Sequence, residues 1–171
     1  VRFPKHPITR LLLKKLNFPL AAPSANKSTS ISPVTKQDVI DEFGKKIKYI
    51  LNGGHSKVGL ESTIIDLTTK PKILRLGGIE LKRISDTVKL NLIYEKNKKN
   101  KYPGQSKLHY SPGIPIKMNI KIPKKNSAYL LINKRKENNK NFFYLSKNKN
   151  LKQAGKNLYK ALRRIKKRKY K

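Results

Sequence analysis

Apolar residues occur along this chain only in runs of a few residues, such as Leu11-Leu12-Leu13. Such runs are too short to cross a bilayer, so we expect no membrane-spanning segment. The 171 residues suggest one domain or two small ones. The chain has no cysteine, which excludes disulfide bonds, thiolate catalysis and cysteine–zinc sites. We therefore expect a cytoplasmic protein built from short helices and strands.

The charge of the chain is strongly unbalanced. Lys and Arg total 42 against 9 Asp and Glu, a formal net charge of +33. Of the acidic residues, only Glu137 lies beyond residue 95. Such an excess predicts association with polyanions such as RNA or nucleotides. Lysine and asparagine runs are nevertheless most often solvated surface without a ligand.

Helices are predicted from start signals and four-residue spacing. Pro7 can open a helix whose apolar face carries residues 8, 12 and 16. Thr35 and Asp38 resemble a capping box that opens a helix ending near Gly44. A short helix is expected over residues 79–84. A longer one near the end of the chain carries its apolar stripe at Ala154, Leu158, Ala161 and Ile165.

Strands are predicted where short apolar runs lie between turn residues. They are residues 20–22, 47–51, 63–67, 72–75, 114–120, 128–132 and 142–145, and residues 1–4 read as the end of a buried strand. The predicted fold class is α/β.

The predicted organisation has three parts. Residues 1–90 form a twisted open sheet with helices, residues 91–113 form a linker rich in charge, Pro and Gly, and residues 114–171 form a small second α/β domain. We expect the first domain to be incomplete at its N-terminal side and the second to be truncated.

Several familiar catalytic motifs are absent. The sequence has no Walker loop, no G-x-G-x-x-G, no H-E-x-x-H and no G-x-S-x-G. His6, His55 and His109 are widely spaced and lack flanking carboxylates, so no metal site is predicted. Ser24 has no nearby His and Asp, so no catalytic nucleophile is predicted.

Small polar clusters instead follow or precede the predicted strands. They lie at residues 23–26, 28–33, 59–63 and 74–77. Hydroxyls, free backbone N–H groups and an Arg at strand ends suit the binding of phosphate and carboxylate. A serine in such a loop, taken singly, is usually a turn or cap residue.

In their order along the chain, these clusters resemble the YrdC-like family of L-threonylcarbamoyl-AMP synthases. The matching motifs are R-x-P-x-H-P from Arg2, A-A-P-S-A-N-x-S from Ala21, S-P from Ser32, G-L-E-S-T from Gly59 and L-R-x-G from Leu74. The segment P-G-Q-x-x-x-H-Y-S-P from Pro103 resembles the linker of the two-domain members.

The resemblance implies a nucleotidyl transfer. L-threonine and bicarbonate form a carbamate, which attacks the α-phosphate of ATP and releases pyrophosphate. A partner transferase then moves the threonylcarbamoyl group to an adenosine of tRNA. Mg²⁺ is expected to accompany ATP, and the basic surface could contact tRNA. Catalysis of this kind rests on positioning and charge stabilisation, which suits a site without a nucleophile.

The resemblance also implies residue roles. L-threonine is expected to contact Arg2, the backbone of Ala22, and Ser62. ATP is expected to contact Ser24, Ser32, Arg75 and Tyr110. Asn26, Glu61 and Thr63 are expected to support the same cavity, although such residues can equally serve only to cap strand ends.

The chain departs from the family pattern at several positions. Thr29, Leu76 and Val34 stand where the family usually has Gly, Pro and Thr. Thr29 is unfavourable if the backbone there needs a positive φ. The family's N-terminal strand, with a threonine-binding Thr and a Lys/Arg phosphate motif, does not precede Val1. We therefore expect the 171-residue piece to be inactive by itself.

Two other functions fit parts of the sequence. A basic RNA-binding protein without catalytic activity would explain the charge, although RRM-like and KH-like aromatic motifs are absent. A carbamoyl-transfer module of a hydrogenase-maturation protein would share the YrdC-like fold, but the His109-Tyr110 linker is typical of the two-domain synthases.

Overall fold

The computed structural model describes residues 2–94, 109–121, 124, 126–168 and 170. The chain forms two compact units. The N-terminal unit comprises Val1–Lys27 and Ser32–Ser56, and the C-terminal unit comprises Ser28–Ile31 and Lys57–Lys171. Most of the predicted linker at 91–113 lies outside the described residues, so the predicted domain limits stay predictions. Within the described residues, no helix has the length and apolar character needed to span a membrane.

The N-terminal unit contains two short helices and a single 3-10 turn. They are α1 (Pro7–Lys14), α2 (Lys36–Phe43) and the turn Gly44–Lys46. Helix α1 starts at Pro7, as predicted, because proline needs no intrahelical partner at that position. Leu16 lies beyond its end.

The predicted capping box of α2 is present. Thr35 Oγ1 accepts a hydrogen bond from the Asp38 N–H at 3.2 Å, and Asp38 Oδ2 accepts one from the Thr35 N–H at 3.0 Å. Gly44 follows the helix at φ +57°, a conformation that glycine adopts without steric cost. The sequence therefore predicted both ends of this helix correctly.

Three predicted strands of the N-terminal unit are absent. Residues 2–4, 20–22 and 47–51 are all described and form no strand. Pro19 and Pro23 flank the second of these segments, and neither has an N–H to donate to a neighbouring strand.

The C-terminal unit begins with a three-stranded sheet in the order β1-β2-β3. Its strands are β1 (Ile64–Asp66), β2 (Lys72–Arg75) and β3 (Ile93–Tyr94). β1 and β2 are antiparallel, as expected for two strands joined by a tight turn, whereas β2 and β3 are parallel. Helix α3 (Leu81–Val88) connects β2 to β3, beginning two residues later than predicted and extending to Val88.

A second sheet consists of two parallel strands, β4 (Tyr129–Leu131) and β5 (Phe142–Tyr144). Helix α4 (Leu151–Lys167) follows, capped by Asn150, whose side chain accepts from the Gln153 N–H at 2.9 Å. Ala154 and Ala161 of α4 pack with Leu145, Leu130 and Leu158 into a small core. These elements match the predictions for this region.

The predicted strand at 114–120 is wrong. Pro115 lacks a ladder donor, and Asn119 adopts a left-handed backbone with φ +55°. Met118 is largely exposed. The observed architecture is nevertheless a mixed α/β fold with small open sheets, which confirms the predicted fold class.

Candidate nucleotide and amino-acid site

The predicted site residues divide between the two units. The N-terminal unit contains Arg2, Ala22, Ser24, Asn26 and Ser32, and the C-terminal unit contains Glu61, Ser62, Thr63, Arg75 and Tyr110. Within the C-terminal unit the structure brings Glu61, Ser62, Arg75 and Tyr110 into one cluster, which we call the Arg75 cluster.

The G-L-E-S-T segment enters this cluster along helix α4. Gly59 has φ +74°, and a Cβ on it would lie 2.3 Å from the Lys156 carbonyl oxygen. One residue further, the Leu60 side chain lies 3.0 Å from the position that a Cβ on Gly155 would occupy. Two glycines thus let this segment and α4 pack backbone to backbone, which sets the position of Glu61.

The turn after β2 supports the same segment from the other direction. The Gly78 N–H donates to the Glu61 carbonyl oxygen at 3.2 Å. A Cβ on Gly77 would lie 2.2 Å from the Thr63 nitrogen, so only glycine fits there. The L-R-x-G and G-L-E-S-T motifs, predicted separately, therefore form one structural element.

Arg75 lies at the centre of the cluster. Its Nε and Nη2 donate to the Ser62 carbonyl oxygen at 3.0 and 2.8 Å. Nη2 also lies 4.0 Å from Oε2 of Glu61. These contacts fix the plane of a guanidinium group that is mostly shielded from water, which strengthens its interaction with any anion that approaches.

Tyr110 contacts Arg75 and a residue that the sequence analysis did not single out, Tyr159 of α4. The two tyrosine rings are stacked, with centroids 5.3 Å apart and planes at 28°. Burial, reinforced by the negative charge of Glu61, raises the pKa of Tyr110, and burial together with the neighbouring Tyr110 raises the pKa of Tyr159. Both phenols therefore keep their protons at neutral pH.

The missed Tyr159 had a sequence signal. The predicted apolar stripe of α4 contained Ala154 and Ala161 but not Tyr159 and Leu162, which are also buried. A helix face that packs fully against a core is wider than the predicted stripe and includes both residues. A wider stripe would have included Tyr159, which is only 6% exposed.

Two buried polar atoms beside the cluster lack partners. Thr63 Oγ1 and His109 Nδ1 make no hydrogen bond to any part of the chain that the structure describes. The His109 ring meets the edge of Tyr110 at a centroid distance of 4.0 Å. Because buried polar atoms are rarely left unpaired, these two atoms are candidates to bind a polar ligand.

Residues 28–31 join the C-terminal unit through the segment that follows His109. The Ser111 N–H donates to the Thr29 carbonyl oxygen at 2.9 Å, Ser30 and Ser111 form a parallel bridge, and Arg163 of α4 donates to the Ile31 carbonyl oxygen. Thr29 has φ +66°, so the departure from the family's Gly falls where glycine is favoured, as the sequence analysis warned.

The site residues of the N-terminal unit lie in loops. Arg2, Ala22 and Ser24 are exposed, and Ser32 is buried. The Asn26 N–H donates to the Ser24 carbonyl oxygen at 3.0 Å, which closes a tight bend in the A-A-P-S-A-N motif. Their predicted roles toward threonine and ATP stay predictions.

The described residues do not assemble a metal site. No three His, Asp or Glu side chains among them are grouped so that they could hold a metal ion.

Two family models match the sequence. One, for Sua5, YciO and YrdC proteins and described as telomere recombination, matches residues 1–77. The other, described as threonylcarbamoyl-AMP synthase, C-terminal domain, matches residues 72–171. The first contains the whole G-L-E-S-T segment, and the second contains Tyr110 and helix α4.

Curated relatives carry the name threonylcarbamoyl-AMP synthase. The one from Pyrococcus abyssi is 37% identical over 122 residues, covering 68% of this chain and 36% of its own length. The relative from Schizosaccharomyces pombe is 38% identical over 127 residues, covering 68% and 31%. The chain thus spans about a third of the length of these relatives.

Solved structures give the same result. The crystal structure of P. abyssi Sua5 complexed with L-threonine superposes with a TM-score of 0.77 at 27% identity, covering 97% of this chain and 54% of that one. A variant of P. abyssi Sua5 with an adjacent His and Tyr both changed to Ala superposes with a TM-score of 0.75 at 27% identity, covering 98% and 54%.

Proposed function

The chain belongs to the threonylcarbamoyl-AMP synthase family, and on that premise we propose that it contributes to a nucleotidyltransferase forming L-threonylcarbamoyl-adenylate. The substrates are L-threonine, bicarbonate and ATP, and the second product is pyrophosphate. The observation that carries the proposal is the Arg75 cluster, in which two separate motifs of the family meet.

The chemistry of the cluster suits a nucleotide. A guanidinium group fixed by carbonyl and carboxylate contacts, next to a protonated phenol, offers donors to phosphate oxygens in a partly dry environment. We assign Arg75 and Tyr110 to ATP, together with Ser24 and Ser32. This chain has one adjacent His-Tyr pair, at residues 109–110, and the P. abyssi variant has an adjacent His and Tyr changed to Ala.

L-threonine is assigned to Arg2, the backbone of Ala22, and Ser62. The P. abyssi relative, whose structure was solved with L-threonine, supports threonine as a substrate. Asn26, Glu61 and Thr63 are proposed to support the two sites, and Glu61 does so by its ion pair with Arg75.

The proposed reaction needs no protein nucleophile. The threonine amine and bicarbonate give a carbamate and water. A carbamate oxygen then forms a bond to the α-phosphorus of ATP while the bond from that phosphorus to the bridging oxygen breaks, so pyrophosphate leaves with the electron pair. The protein orients the two anions and stabilises the charge that develops on the phosphate oxygens.

Pyrophosphate release tests this function. Full-length protein should release pyrophosphate from ATP only when both L-threonine and bicarbonate are present. Arg75→Ala should lower kcat/KM by about 100-fold or more, whereas Arg83→Ala, on the exposed face of α3, should leave it unchanged. ATP turnover that ignores threonine would contradict the proposal, whereas the absence of turnover together with tight RNA binding would favour the RNA-binding alternative.

We also propose that tRNA, the acceptor of the product in the cytoplasm, contacts helix α4. Exposed cations recur every four residues along α4 and at the residue that follows it, at Lys152, Lys156, Lys160, Arg164 and Arg168. Like charges at this spacing destabilise a helix slightly, which a polyanion would offset. Of the five, Lys152 is paired with Glu80 at 3.5 Å.

A charge-reversal pair tests this contact. Changing Lys156 and Lys160 to Glu should weaken tRNA binding and reduce the slope of log affinity against log salt by about 2. Changing Lys45 and Lys48 to Glu alters the net charge equally at exposed positions of the N-terminal unit. Equal losses from both pairs would show that only the overall charge matters.

A further inference from the structure

Tyr110 adopts a strained backbone conformation. Its φ of +56° lies in the left-handed region, which is sterically unfavourable for a residue with a Cβ. Such conformations persist where the surrounding contacts enforce them, and they concentrate at functional sites. The question is which contacts hold Tyr110 in this conformation.

Two kinds of contact hold it. The next residue, Ser111, is fixed through its N–H to the Thr29 carbonyl oxygen at 2.9 Å, and Pro112 is fully buried. The Tyr110 side chain is stacked against Tyr159, which is itself buried in α4. Backbone and ring are thus fixed independently.

The hydroxyl group of Tyr110 is also oriented. It is hydrogen-bonded to both Tyr159 and Arg75. Because a guanidinium group can only donate, the Tyr110 oxygen accepts from Arg75. The Tyr110 hydroxyl therefore lies between the buried phenol of Tyr159 and the guanidinium group of Arg75.

We propose that Tyr159 is a positioning residue, which holds Tyr110 beside Arg75 so that the Tyr110 hydroxyl donates a hydrogen bond to a phosphate oxygen of ATP. The inference rests on the proposed function for its ligand. It gives helix α4, which lies in the C-terminal domain of the family, a role in the nucleotide site that the sequence motifs did not indicate.

Two substitutions separate the contributions of Tyr159. Tyr159→Phe keeps the stacked ring and removes the hydrogen bond between the two tyrosines, and Tyr159→Leu removes both. For full-length protein we expect the KM for ATP to rise about 2- to 10-fold in the first variant and about 10- to 100-fold in the second. The KM for threonine should change less than 2-fold in Tyr159→Phe. The control is Tyr144→Phe, at another tyrosine of the C-terminal unit, which should match wild type.

A double-mutant cycle tests whether Tyr159 acts through Tyr110. In a Tyr110→Phe background the hydroxyl that Tyr159 contacts is gone, so Tyr159→Phe should add no further increase in the KM for ATP. Equal effects of Tyr159→Phe in both backgrounds, or no effect in wild type, would overturn the proposal.

A second measurement does not depend on catalysis. Hydrogen exchange of the Ser111 amide should be faster in Tyr159→Leu than in Tyr144→Phe, because loosening Tyr110 loosens its neighbour. If wild-type protein failed to bind ATP, the proposed function would be contradicted. The exchange rate of the Ser111 amide would still show whether Tyr159 holds Tyr110 in place. Unchanged exchange in a folded Tyr159→Leu protein would overturn the positioning role.

Discussion

The N-terminal and C-terminal units differ in what holds them together. Among the described residues, Val34 is the one apolar side chain that the N-terminal unit buries fully, whereas the C-terminal unit buries apolar residues from both sheets and from α4. Large apolar side chains such as Phe3 and Tyr49 are exposed in the N-terminal unit.

Hydrogen bonds take a larger part in the N-terminal unit. His6 Nε2 lies 3.1 Å from the Gly53 carbonyl oxygen, the Ser56 N–H donates to the Val34 carbonyl oxygen at 2.8 Å, and a capping box starts α2. Each such bond contributes about 1 kcal/mol, less than a well-buried apolar side chain. The C-terminal unit should therefore set the stability of the chain, and the N-terminal unit should open first.

The largest contrast between the units should come from truncating apolar side chains. Ile73, in β2, is 0% exposed, and Ile73→Ala should destabilise the C-terminal unit by about 4 kcal/mol because it leaves a cavity. Leu11→Ala, at a side chain 61% exposed in α1, should cost less than about 0.5 kcal/mol. Urea denaturation measures the free energy of unfolding of both variants, and similar losses in the two would contradict the difference between the units.

Two glycines with the same φ, one in each unit, allow the effect of packing to be separated from the effect of backbone strain. Gly59 and Gly54 both have φ +74°, but an added Cβ meets the α4 backbone at Gly59 and nothing within 4 Å at Gly54. Gly59→Ala should cost about 3 kcal/mol or more, from strain plus overpacking, and Gly54→Ala about 1 kcal/mol, from strain alone. Thermal denaturation distinguishes the two, and equal shifts in Tm would show that α4 moves freely away from Gly59.

The smallest of these effects concerns the capping box. Thr35→Ala removes the cap of α2 and should cost about 1 kcal/mol. Thr69→Ala, at an exposed turn position, is the matched control and should be neutral. Amide exchange read at α2 should accelerate only in the first variant; unchanged exchange at α2 would mean that tertiary contacts, rather than the cap, hold this helix.

The sequence predicted the elements whose signals are local. The cap of α2, the proline that opens α1, the hairpin of β1 and β2 and the apolar stripe of α4 each lie within one turn, one hairpin or one helix. The predicted strands at 20–22, 47–51 and 114–120 failed because a strand requires a partner, and short apolar runs do not specify one.

In the candidate site, too, the sequence predicted what its motifs contain and missed a contact between distant segments. The order of the motifs indicated that Ser62, Arg75 and Tyr110 belong to one function, and the structure shows these residues in one cluster. Tyr159 was missed because it lies 49 positions from Tyr110 and belongs to no motif. Its role depends on where α4 packs.

By itself, the sequence determined the family, the start of α1 and both ends of α2, because these depend on side chains close in the chain or on an ordered set of motifs. Tertiary structure alone decided that α4 supports the Arg75 cluster, that residues 28–31 pair beside Ser111, and that Arg75 and Tyr159 both contact Tyr110. These contacts join distant segments, and they form because burying Tyr159, Leu60 and Gly59 together removes apolar surface from water.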